Sequence, residues 1–146
     1  MFDGALQVNL DVKNRMAIPV KHRNKLVSLE CNQIKITAHP DRCLLVYPMA
    51  AWDVVFKKLG TFPSLDRQAT AWKRMLIGHA DTLDLDAAGR ILLSPTLRAF
   101  ANIEKNAMLV GQGSYLELWN EDAWHAKNAE FDPYGPLPAS VSDFSL

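Results

Sequence analysis

Apolar and polar residues alternate at the start of the chain, Leu6, Val8 and Leu10 on one side and Ala5, Gln7 and Asn9 on the other, which predicts a half-buried strand. The strand runs into Asp11-Val12-Lys13-Asn14, where Asp11 can accept from the backbone two residues on and Asn14 tolerates positive φ, so a tight turn is expected. Arg15 opens a return strand through Met16, Ala17 and Ile18, and Pro19 stops it ahead of a short basic helix over about 20–29. Strands are expected at 33–38 and 43–47, joined by the turn-forming His39-Pro40-Asp41. After Pro48, the spacing of Trp52, Val55, Phe56 and Leu59 predicts a helix ended by Gly60. Leu65, Ala69, Trp72, Met75 and Leu76 predict a second one, closed by Gly78.

The opening pattern then returns. Leu83 and Leu85 lead into Asp86-Ala87-Ala88-Gly89-Arg90, followed by Ile91-Leu92-Leu93 and by Ser94-Pro95, a cap and first-turn pair for a short helix to about Ala101. Strands at 107–112 and 115–119 precede a last helix capped by Asn120. From Asp132 onward Pro133, Gly135, Pro136 and Pro138 break any periodicity, and a loose tail is expected. Asp11 and Asp86 stand 75 positions apart, as do Arg15 and Arg90, and Arg23 and Arg98. The segment Cys43–Trp52 lies over Tyr115–Trp124 at an offset of 72. Each half reads strand, D-x-x-x-R turn, strand, short helix, hairpin, helix. One such half, about 45 residues, is too small to bury its own core, so the two are expected to pack about a pseudo-two-fold axis.

Composition narrows the function classes. With 49% hydrophobic and 22% charged residues among 146, the chain is that of an ordinary globular domain. Cys31 and Cys43 alone make neither a metal knuckle nor a disulfide framework, which suits a reducing cytosol. The first ten residues lack a basic region followed by an apolar run, and no apolar stretch approaches about 18 residues, so neither secretion nor membrane insertion is expected.

Sixteen Lys and Arg balance sixteen Asp and Glu, yet the charges are segregated. Residues 1–26 hold five basic side chains against two acidic, 57–74 hold five against one, and 117–146 hold one against six. Such asymmetry can give one basic face and one acidic one.

Two readings fit the D-x-x-x-R turns when they are taken alone. Each Asp and Arg can form an ion pair inside its own turn, which is common and contributes little. Alternatively, Asp ties the loop backbone while the Arg fork projects toward a phosphate or the O6 and N7 edge of guanine. The helix with Lys21, His22, Arg23 and Lys25 can track a nucleic-acid backbone or simply face solvent. Trp52, Trp72, Trp119 and Trp124 could stack on bases, but their periodicity points to core or interface packing. His79 with Asp81, Asp84 and Asp86 resembles an acid-base or metal cluster. No such cluster recurs in the first half, and neither HExxH, GxSxG nor a phosphate-binding Gly loop occurs, so catalysis is not expected and no cofactor is implied.

The order of these motifs resembles the MraZ family across residues 1 to about 124. The segments that carry the likeness are Met1-Phe2-x-Gly4, Asn9-Leu10-Asp11-x-Lys13-x-Arg15, Ala17-Ile18-Pro19, Leu44-Leu45-x-Tyr47-Pro48, Gly78-His79-Ala80, Asp86-x-x-Gly89-Arg90 and Glu117-Leu118-Trp119. The resemblance implies an α+β, β-rich fold of two SpoVT/AbrB-type swapped-hairpin repeats, 5–52 and 81–124. These would pack as a pseudo-two-fold β-barrel with short peripheral helices. A helical connector, 53–80, would join them, and 125–146 would be the end of the last helix and a loose acidic tail. It also implies a DNA-binding transcriptional regulator of the bacterial cytoplasm and nucleoid. Such regulators typically repress their own division and cell-wall gene cluster, acting as homo-oligomeric rings on short promoter direct repeats. Carried over residue by residue, the DNA-binding positions are Asp11, Lys13, Asn14 and Arg15, with Asp86, Gly89 and Arg90. Asn14 departs from the family's usual Gly, and Ala88 stands opposite Lys13, so the second loop is expected to contribute less to phosphate contact. The other reading that the fold allows is an antitoxin-like protein-interaction module.

Overall fold

In the computed structural model, which describes residues 1–145, the two halves of the chain are interleaved strand by strand. The first half supplies β1 (Ala5–Asn9), β2 (Arg15–Ala17), α1 (Val20–Ser28), β3 (Gln33–Ala38), β4 (Leu44–Pro48) and α2 (Met49–Gly60). After α3 (Arg67–Leu76), the second half supplies β5 (Asp81–Asp84), β6 (Arg90–Leu92), α4 (Pro95–Phe100), β7 (Asn106–Gly111), β8 (Leu116–Asn120) and α5 (Glu121–Glu130). One antiparallel sheet of six strands runs β1-β7-β8-β4-β3-β5, and β2 pairs with β6 in a separate ribbon. Exchanging every strand for its counterpart in the other half leaves the six-strand order unchanged when it is read from the opposite end. The repeat seen in the sequence is thus a symmetry of the strand pairing.

Local signals place most of these elements. Asp66, Ser94 and Asn120 each accept a hydrogen bond from the amide three residues on, capping α3, α4 and α5. Pro95 occupies the first turn of α4. His39 N donates to the Cys43 carbonyl at 3.0 Å, closing the β3–β4 hairpin with Arg42 at φ 64°. Helix α3 ends at Leu76 with Ile77 as its cap, and Gly78 follows directly, as expected. A Cβ on Gly78 would stand 2.2 Å from the Arg74 carbonyl oxygen, so the glycine is needed where the chain leaves the helix.

Period-two alternation sorts the sheet's side chains onto two covered faces. Ile34, Ile36, Leu44, Val46, Leu109, Leu116 and Leu118 form the main core with Met16 and Ile91 of the ribbon, Leu26 of α1 and Leu97 of α4. On the opposite face Leu45 and Tyr47 pack against Trp52 of α2, and Val110 and Trp119 against Trp124 of α5. The result is three layers: ribbon with α1 and α4, then the sheet, then α2 and α5. Trp52 and Trp119 are core residues, as their spacing predicts. Trp72 instead remains 40% exposed, because α3 buries none of its residues fully.

The expected barrel needs correction. The sheet is open, with β1 and β5 as its edges, and does not close into a barrel. The reason lies in β2, which the alternation pattern sends back along β1 as a hairpin. It makes one bridge on that side, Leu10 to Met16, and spends its ladder on β6, three residues long. Strands this short cannot bridge the two sheet edges. The tail lies exposed from Phe131 to Ser145, with a single 3-10 turn at Ala139–Val141; its last residue, Leu146, lies outside the described residues.

Candidate nucleic-acid interface

Both D-x-x-x-R loops adopt one construction. Asp11 Oδ1 accepts from the amides of Lys13 at 2.8 Å and Arg15 at 3.0 Å, and Oδ2 accepts from Arg15 Nε at 3.0 Å. Asp86 Oδ1 accepts from the amides of Ala88 and Arg90, each at 2.9 Å, and Oδ2 from Arg90 Nε at 2.8 Å. Each turn is closed by its own backbone, with Asp11 N donating to Arg15 O and Asp86 N to Arg90 O. The fourth loop residue must be left-handed, and Asn14 (φ 62°) and Gly89 (φ 73°) both are.

The ion pair foreseen as an alternative does exist in both turns. It engages only Nε. Among the described residues neither Arg15 nor Arg90 makes a hydrogen bond through its Nη atoms. The Asp therefore orients the guanidinium while the two-nitrogen fork at its end stays available. The Arg side chains keep 32% and 35% of their surface.

The loops are brought together by the ribbon. In the β2–β6 register Arg15 opposes Leu92, Met16 opposes Ile91 and Ala17 opposes Arg90. Alternation puts Met16 and Ile91 into the core, which turns Arg15, Ala17, Arg90 and Leu92 to the outer face. Arg15 and Arg90 are diagonal neighbours there, with backbones about 7–8 Å apart. Ile18 N donates to Gly89 O and Leu93 N to Asn14 O, so one loop sits at each end of the ribbon. Lys13 rides on the first loop, and Ala88 stands in its place on the second.

Two side chains of the basic helix are engaged within the protein. Lys21 pairs with Asp3 and also donates to its carbonyl. Arg23 crosses to the other half of the chain and donates from Nη1 to Ala88 O at 3.1 Å. Sequence reasoning did not assign Arg23 to the second loop. Its one signal was the 75-residue spacing to Arg98. His22 is buried against Phe2, and burial, with Lys21 nearby, holds its ring below the ordinary histidine range.

The backbone amide of Arg15, followed by that of Lys13 and the Arg15 side chain, holds the Asp11 carboxyl below the usual range. Asp86 is held low in the same way, first by the Arg90 amide. A carboxyl lowered on folding stabilises the protein above its unfolded pKa, about 3.9, and that contribution is lost as pH falls through the lowered folded value. Carbon-13 NMR titration is expected to put both carboxyl midpoints below that of an unfolded Asp. Midpoints at the unfolded value would show that the loop bonds do not form in solution.

This loop and ribbon geometry belongs to a chain that matches the family model "MraZ protein, putative antitoxin-like" twice, over residues 1–75 and 76–133. The chain belongs to the MraZ family. Among its relatives, a protein of Methylobacillus flagellatus named "Transcriptional regulator MraZ" is 50% identical over 100% of both chains. Proteins of the same name from Saccharophagus degradans and Azoarcus sp. are 46% and 42% identical, again over 100% of both chains. The two matches of the MraZ family model meet between residues 75 and 76, near the end of α3, so each contains one D-x-x-x-R loop.

Proposed function

We propose that this chain is a sequence-specific DNA-binding transcriptional regulator whose reading surface is the outer face of the β2–β6 ribbon, with the loops Asp11–Arg15 and Asp86–Arg90 at its ends. The observation that carries this is the pair of Arg forks: both are tied at Nε, free at Nη and set on one face. The major groove admits a two-stranded ribbon, and a guanidinium held this way can meet guanine O6 and N7 bidentately. Asp11, Asn14, Asp86 and Gly89 shape the loops, and Lys13 adds a phosphate contact. Membership of the MraZ family and the names of its relatives support regulation as the purpose. No helix among the described residues is long and apolar enough to cross a membrane.

In the finer reading each half is a SpoVT/AbrB-type swapped-hairpin unit, consistent with first-half strands pairing to second-half strands. The chain assembles into a ring in the cytoplasm, at the nucleoid, and represses its own division and cell-wall gene cluster from short direct repeats. Assembly explains how a chain of zero net charge holds a polyanion, because each protomer neutralises few phosphates and several on adjacent repeats release many counterions.

The deciding experiment is a gel shift with the DNA immediately upstream of the chain's own coding region, against scrambled competitor. A specific shift is expected. The antitoxin-like description of the family favours a second reading, a protein-interaction module, and that reading gives none. With one, two or three repeats in the probe, the slope of log K against log salt is expected to steepen with each repeat. A monomer that binds one repeat as tightly as three, with the same slope, would show that assembly plays no part.

A further inference from the structure

The two loops share a construction but not a setting. Gly89 lies beneath the Arg23 side chain, so closely that a Cβ there would stand 2.4 Å from Arg23 Cδ and 2.7 Å from its Nε. Arg23 Nη1 holds the neighbouring Ala88 carbonyl, and Arg23 Nε is buried without a hydrogen-bond partner among the described residues. Leaving such a donor unpaired is costly, and the position of the side chain over the loop is what its packing secures.

Arg98, the counterpart of Arg23, does not repeat this. Its Nε donates to Leu93 O at 3.2 Å, and beside Asn14 lies a surface cavity of about 460 Å³ bordered by Asn14, Leu92, Leu93, Ser94 and Arg98. This difference accounts for a difference in sequence. Both positions are left-handed; Asn14 borders open space, whereas at 89 a Cβ would push the Arg23 side chain aside, so Gly there lets Arg23 lie over the loop.

Resting on the ribbon as the DNA-reading face, we infer that Arg23 is a positioning residue that clamps the second loop and makes Arg90 the principal discriminator between base pairs. A fork on a clamped loop cannot shift to satisfy a wrong base and leaves donors unpaired when it meets one. A fork on an open loop adapts, and discrimination falls accordingly. The first loop instead carries the Lys13 ammonium, a mobile point charge suited to phosphate, whose attraction tolerates displacement. One half thus supplies mainly selectivity and the other mainly salt-dependent affinity.

The test is a double-mutant cycle on the wild-type chain, using fluorescence anisotropy with the upstream operator and with versions changed one base pair at a time. Arg23→Ala is expected to narrow the preference for the correct base pair and to couple to Arg90→Ala by at least about threefold. It should add independently to Arg15→Ala. Arg23→Lys keeps the charge but not the planar fork, so overall affinity returns while base preference does not. Amide exchange reports the clamp without DNA: the Gly89 amide, which donates to Asp86 O, should exchange faster in Arg23→Ala while that of Asn14 is unchanged. Additivity of Arg23 with both arginines, or an unchanged base preference, overturns the inference. So does a salt slope lower by about one phosphate without coupling, the mark of a plain backbone contact. If Arg23→Ala fails to fold, Arg23→Met keeps most of the side chain's bulk but removes the bond to Ala88 O, and should show the same coupling. If Arg15→Ala and Arg90→Ala both leave binding intact, the DNA-reading face itself is wrong, whereas the exchange result still stands or falls with the clamp.

Discussion

Arg15→Ala and Arg90→Ala are each expected to weaken binding to upstream DNA by about 1–3 kcal/mol, roughly 5- to 150-fold, and to leave stability and oligomeric state unchanged. The two effects separate for a structural reason. Each guanidinium is partly exposed on the ribbon's outer face, and its ion pair spans four residues at the surface, where such pairs contribute at most about 1 kcal/mol. The Asp keeps its two backbone bonds when the Arg side chain is removed, so the turn persists. Titration of each variant against operator DNA, with thermal unfolding and light scattering on the same samples, decides the matter. A variant that melts several degrees lower but binds as before would reduce both turns to structural ion pairs.

Leu118→Ala is expected to lower stability by about 2–5 kcal/mol, a large share of the 5–15 kcal/mol typical of a domain. Leu118 is fully buried in β8 and lies between Leu109 of β7 and Leu44 of β4. That places it where the second half of the chain meets the first across the sheet. Truncation removes core contacts on both sides of the seam and leaves a cavity between central strands, which cannot close it by moving. At this chain length the loss corresponds to a fall in Tm of roughly 4–20 °C. A single transition is expected, because β1 is held in the sheet by β7 and β5 by β3, so each half keeps only a two-stranded hairpin when the other unfolds. Calorimetry showing two separate transitions, with only one displaced, would mean that the halves fold independently.

Several features were legible in the sequence because their causes lie within a few residues. Asp11 bonds the backbone two residues on, Asn14 takes positive φ, and Ser94 and Asn120 cap the helices that follow them. The 75-residue spacing showed that the two loops are counterparts. Helix periodicity was less reliable at the surface. Trp72 and Phe56 lie on apolar stripes but stay at least 40% exposed, since a stripe says which face is apolar and not whether a neighbour covers it.

By itself the sequence determined the turn chemistry, the caps, the inward and outward faces of β1 and β5 and the pairing of the two loops as repeats. Each of these depends on local bonding or on a period within a single element. Tertiary structure alone decided that β2 pairs with β6 and not with β1, that the sheet stays open, and that Arg23 rather than Arg98 reaches a loop. Alternation names the face a residue takes but never the strand beside it. A side chain that spans 65 residues to bond Ala88 leaves no local trace, because its partner is set by how the halves pack. Glycine at 89 and asparagine at 14 follow from that packing, since both positions share one backbone conformation and differ only in what lies above them.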